Sequence, residues 1–181
     1  MRAPISIVLL VLTVAACADD AITTVSHHPT GVGRAIVSSQ AAPSVPLRGS
    51  CEIRAAAPAV VTPPFIRETD IGTCQLGHLG RAAFYGEQII NFVTRTQVAP
   101  VMIFTAANGD ELHAANVGSN TPTGPGTIRF TGRTTIVGGT GRFANATGQL
   151  SVEGTADFAS TEARMTFDGW IAYDAADGAR Q

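Results

Sequence analysis

Four segments of this chain share one pattern, and the pattern leaves few folds open. Ile128-Phe130-Gly132, Leu150-Val152-Gly154, Met165-Phe167-Gly169 and Ala82-Phe84-Gly86 each place two apolar residues and then a glycine at alternate positions. Alternation with a period of two is the mark of a strand with one buried face. Glycine weakens a strand unless the backbone must bend or another chain segment approaches closely. Placed at matching positions in successive strands, it lets a sheet curl into a small barrel. The opposite positions (Arg129, Thr131, Arg133, Thr135; Ser151, Glu153, Thr155, Asp157; Arg164, Thr166, Asp168) read as a solvated exterior. The expectation is an all-β fold, a closed antiparallel barrel of about eight strands.

The strands follow from the same period. Beyond Ala82–Gly86, candidates are residues 88–96, 101–107, 111–118, 127–137, 149–158 and 163–174. Asn108-Gly109-Asp110 marks a hairpin turn, and residues 120–126, with Pro122, Gly124 and Pro125, read as a loop. Residues 48–72 contain Pro58, Pro63 and Pro64 and are expected to hold only short strands or a loop. The nineteen glycines and ten prolines agree with many strands and turns. The barrel domain is placed at residues 48–176.

The N-terminus reads as an export leader. Arg2 is a charged start, Ile5 to Val14 are apolar, and Ala15, Ala16 and Cys17 are small. About ten apolar residues are too few to span a bilayer, which takes roughly 20. Val14-Ala15-Ala16-Cys17 resembles a bacterial lipobox, with residues 1–17 as signal peptide and Cys17 as the lipidated N-terminus. Ordinary secretion with cleavage after Ala18 is the alternative. Either way the chain is extracytoplasmic; a lipoprotein of this kind in a Gram-negative cell would sit at the outer membrane. Residues 18–47, rich in Ala, Ser, Thr and Pro, then serve as a flexible tether. Cys51 and Cys74 remain as an even pair in an oxidising compartment, which implies a disulfide. The rival, a metal site, lacks a nearby His pair, and His27 and His28 lie in the tether. No metal or cofactor is implied.

Net charge is −2, and all twelve basic residues are Arg, scattered along the chain. That excludes the basic footprint of a nucleic-acid binder. The run from Gly138 to Gly148 (GGTGRFANATG) superficially meets a dinucleotide fingerprint at Gly139, Gly141 and Ala144. The fingerprint needs a helix after it; here a strand follows within a few residues, and the nucleotide reading falls. Gly138, Gly139, Gly141, Arg142 and Phe143 instead resemble the turn between late strands in the allene oxide cyclase and dirigent superfamily. Residues 105–112 and 128–132 extend the similarity, which covers roughly residues 74–174. The resemblance implies an eight-stranded, calycin-like barrel with an apolar cavity. Arg142 and Phe143 are then expected to plug or staple one barrel end.

Three functions compete. A binding barrel would hold a small apolar ligand against the glycine-bearing face: Phe84, Phe130, Val152, Phe158, Met165, Phe167, Ile171 and Tyr173. The plainer expectation is that these side chains simply fill the interior. A cyclase- or dirigent-like enzyme would steer a reactive intermediate, but Glu153, Asp157 and Asp168 fall on the outer face and Glu87, Asp110 and Glu111 at turns. His78 and His113 are expected on the surface, and no catalytic set is identifiable, so catalysis is the less favoured reading. A surface interaction module would use an exposed Trp170, although Trp170 is expected to pack under the segment stapled by Cys51 and Cys74. The sequence does not report oligomeric state.

Overall fold

The computed structural model describes residues 42–56 and 59–173. Cys17, the leader, most of the expected tether and residues 174–176 lie outside them. Nine strands run β1 (Ser44–Ala55), β2 (Val60–Thr62), β3 (Phe65–Leu76), β4 (Gly80–Asn91), β5 (Thr96–Ala106), β6 (Glu111–Gly124), β7 (Thr127–Gly139), β8 (Thr147–Asp157) and β9 (Glu162–Ala172), with a 3-10 turn at Gly141–Phe143. All neighbours are antiparallel, in the order β1-β9-β8-β7-β6-β5-β4-β3, and β1 pairs with β3 to close the sheet. The result is an eight-stranded closed barrel with β2 added beside β3.

Several boundaries differ from the sequence reading. β1 opens at Ser44, inside the expected tether, and residues 48–72 carry most of two twelve-residue strands rather than a loop. Pro63 and Pro64 sit in the β2–β3 turn and interrupt neither long strand. Residues 88–96 are not a separate strand: β4 runs unbroken to Asn91 and turns through residues 92–95. β6 continues through most of the expected loop to Gly124, with a register shift at Pro122. A proline fits a strand where the ladder is irregular and its missing N–H costs no bond.

The seam is stapled. Cys51 and Cys74 face each other in the β1–β3 register and form a disulfide. The inward Gly132, Gly148, Gly154 and Gly169 lie where a neighbour's backbone presses in. A Cβ at Gly154 would collide with the Arg164 carbonyl oxygen and the Phe130 ring, so the interior there has no room for a side chain.

The interior has two halves. One end receives the β3–β4, β5–β6 and β7–β8 connections and is packed solid by Leu47, Leu79, Leu112, Phe143, Leu150 and Ile171. At the waist Phe104 stands between Phe84 and Phe167, ring centroids 5.3 and 5.7 Å away. Beyond the waist the barrel is hollow.

Candidate functional site

The GGTGRF segment builds the closed end. Gly138 and Gly141 hold positive φ (125° and 53°), which glycine adopts without a Cβ clash. They reverse the chain so that Phe143 drops into the core, 0% exposed, with its ring 5.1 Å from that of Tyr173. Arg142 reaches across: Nη2 donates to the His78 carbonyl at 3.0 Å, and Nε lies 3.4 Å from Asp110 Oδ2. Three connections are thereby tied together. His78 joins them, with Nε2 3.0 Å from the Pro46 carbonyl oxygen and Nδ1 3.2 Å from the Tyr173 hydroxyl. His113 lies on the outer face against Glu111 at 2.8 Å. Neither histidine enters the barrel.

The open half encloses a cavity of about 600 Å³. Of the eight expected contacts, Phe84, Phe130, Val152, Phe158 and Met165 line it. Phe167, Ile171 and Tyr173 do not: Phe167 stands at the waist, and Ile171 of β9 and Tyr173 just after it pack in the closed half. Ile53, Ile66, Ile90, Met102 and Ile128 add to the apolar wall. Gly86 faces Asp70 across the β3–β4 ladder, and a Cβ there would press on the Phe84 ring at 2.8 Å. At the mouth Phe158 meets Phe92 edge to face, centroids 5.7 Å apart, joining the β8–β9 and β4–β5 turns. Val60, Val61, Phe65 and Val93 are exposed on the turns and strands at this end.

The sequence reading missed the polar part of the cavity, which comes mainly from β3 and β4. Glu68 and Asp70, two positions apart on β3, both turn inward, and Gln88 of β4 spans them. Gln88 Nε2 donates to Glu68 Oε1 at 2.6 Å and to Asp70 Oδ2 at 2.7 Å. Asp70 is only 7% exposed. Burial pushes its carboxyl up to about 7, the Glu68 charge adds to the rise, and the Gln88 hydrogen bond partly opposes it. Glu68 is raised as well, by burial against the pull of Gln88. The same cavity is lined by Gln97 of β5 and Asn116 of β6, whose Nδ2 donates to Thr134 Oγ1 at 3.0 Å.

The other acids are placed as follows. Glu153 and Asp168 are outside, Asp168 held by Arg48 Nε at 2.8 Å, while Asp157 turns at the rim and caps the Ala159 N–H. Glu87 lies beside the cavity wall in mid-strand rather than at a turn, its carboxylate directed outward to the Tyr85 hydroxyl. Trp170 is on the exterior opposite Pro46 in the β1–β9 register, 42% exposed and not packed under the stapled segment. Among the described residues no cluster of His, Cys, Asp and Glu could hold a metal ion.

The closed antiparallel barrel is also found among solved structures. The chain is similar to the pterocarpan synthase dirigent protein GePTS1, with a TM-score of 0.51 and 17% identity over 82% of this chain and 99% of that one. It has the dirigent barrel fold. A second dirigent protein, the pterocarpan synthase PsPTS1, aligns with a TM-score of 0.46 and 17% identity over 74% of this chain and 97% of its own. No family model and no curated protein matches the sequence.

Proposed function

We propose that the barrel is a receptacle for a small, mostly apolar molecule with one hydrogen-bonding end, held in the hollow half with that end at Glu68 and Asp70. The observation that carries this reading is the cavity itself. Its size suits a compound of drug-like dimensions, and an apolar wall with a few convergent polar groups is the usual make-up of a ligand site. The disulfide is compatible with work outside the cytoplasm, where the leader reading would add a lipid anchor at Cys17. Titration with Nile red, a neutral lipophilic fluorophore, tests the receptacle. Saturable binding is expected in the native protein and its loss in Val152→Trp, which fills the cavity from β8. Equal binding by a folded Val152→Trp protein would place the dye elsewhere and refute the reading.

A second reading is favoured by Asp70, whose raised pKa leaves a buried carboxyl able to hold and release a proton near neutral pH. In this reading Asp70 protonates a bound intermediate, a use in keeping with the word synthase in the name of the dirigent protein that shares the fold. Asp70→Asn would then keep ligand binding and lose turnover.

A further inference from the structure

We propose that the cavity selects amphiphilic amines, with an aryl or alkyl body against the apolar wall and an ammonium head between Glu68 and Asp70. This rests on the receptacle reading and adds the chemical class of the ligand.

The first argument is charge. Among the described residues no Arg, Lys or His lines the cavity, although Glu68 and Asp70 stand inside it and Asp157 and Glu162 at the rim. Arg54, Arg67 and Arg164, each next in sequence to lining residues, are exposed. The second is donor supply. Both inner carboxyls draw on one amide, Gln88 Nε2, and among the described residues no donor reaches Glu68 Oε2 or Asp70 Oδ1. Gln97, only 8% exposed, lines the same cavity and makes no side-chain hydrogen bond within the described residues. Asn116 has its Nδ2 engaged by Thr134, which leaves Oδ1 as a further acceptor. The site thus has acceptors and negative charge in excess. An ammonium group brings three donors and the missing positive charge. A carboxylate ligand would add a third buried negative charge beside two, and an alcohol offers one donor.

The protonation of the site supports the same class. Asp70, with a pKa raised to about 7, holds a proton where a cation would otherwise sit, and the Glu68 carboxyl is raised as well by burial. Gln88, Gln97 and Asn116 are the uncharged groups facing them, and Glu87 turns its charge outward. An ammonium must displace the Asp70 proton, so amine affinity falls about tenfold for each pH unit below 7.

The test displaces Nile red with a matched set: 4-phenylbutylamine, 4-phenylbutanol and 4-phenylbutanoate. At pH 8 the amine is expected to compete about tenfold better than the alcohol, with the carboxylate weakest. Asp70→Asn with Glu68→Gln should bring amine and alcohol within about twofold of each other, each competition being scaled to the Nile red affinity measured for the variant itself. Equal competition by amine and alcohol on protein that binds Nile red would overturn the amine inference and leave the receptacle standing. Absence of Nile red binding would remove the receptacle reading, and this inference with it. Should the double variant not fold, the native protein decides. Amine affinity should fall about tenfold from pH 8 to pH 6 while the alcohol is unchanged, and a flat amine profile would overturn the inference.

Discussion

Replacing Asp70 by Asn should stabilise this protein at alkaline pH and leave it nearly unchanged in acid. Asp70 has its folded pKa raised from 3.8 to about 7, so the native state binds a proton that the unfolded chain releases between those values. The stabilising contribution of the protonated form is complete below about pH 4. It is lost as pH rises, at about 1.4 kcal/mol per unit, and is gone above pH 7. Three units correspond to a ceiling of ~4 kcal/mol. Asparagine keeps the shape and an acceptor for Gln88, but exchanges a charge-assisted bond for a neutral one at a cost of about 1 kcal/mol. The net gain expected at pH 8 is therefore about 2–3 kcal/mol, shrinking to within 1 kcal/mol of zero or below at pH 4. Urea denaturation of both proteins at pH 4, 5.5, 7 and 8, with the disulfide intact, measures the difference. Glu68 keeps some pH dependence in the variant, since its own carboxyl is raised. Parallel stability curves for the two proteins across that range would refute the placement of a buried, proton-holding carboxyl at this position.

Reducing the Cys51–Cys74 disulfide, or replacing both cysteines by serine, should cost about 3 kcal/mol in a denaturant melt, because it frees a loop of 23 residues across the β1–β3 seam. Phe143→Ala empties a fully buried aromatic site at the closed end and should cost about 4 kcal/mol, lowering the melting temperature without abolishing Nile red binding in the folded fraction. Phe158→Ala removes the ring that meets Phe92 at the mouth, and stopped-flow fluorescence should show both association and release of Nile red quickened several-fold. Unchanged rates would mean that the ligand passes elsewhere.

The barrel was legible because β8 and β9, the first part of β4 as far as Gly86 and most of β7 keep apolar residues inside and polar residues outside. Cys51 and Cys74 could be paired by counting alone. The acidic half of the cavity was not legible because β3 inverts that pattern: Glu68 and Asp70 point in, while Phe65 is exposed and Ile71 half-exposed on the outer face. Burying two carboxyls is costly, so a pattern reading assigns them to solvent. Counting back by twos from the buried Cys74 gives Gly72, Asp70, Glu68 and Ile66, which would have located them. β5 hides its register for another reason. The shift between Ala99 and Met102 places both residues against the cavity though they are three apart, and a strict period of two misassigns one of them. The division between packed and hollow halves depends on where Phe104 sits across from Phe84 and Phe167, a relation among three strands that no local pattern carries.

The central claim is that the hollow half receives the ligand, and two methionines stand in its wall. Met102 and Met165 both line the cavity, and the chain has one other methionine, Met1. NMR of the protein labelled with methyl-13C methionine, titrated with Nile red, reads both walls at once. The methyl signals of Met102 and Met165 are expected to shift together and saturably, with intermolecular contacts to the dye. Binding detected by fluorescence with both methyl signals unmoved would contradict the account.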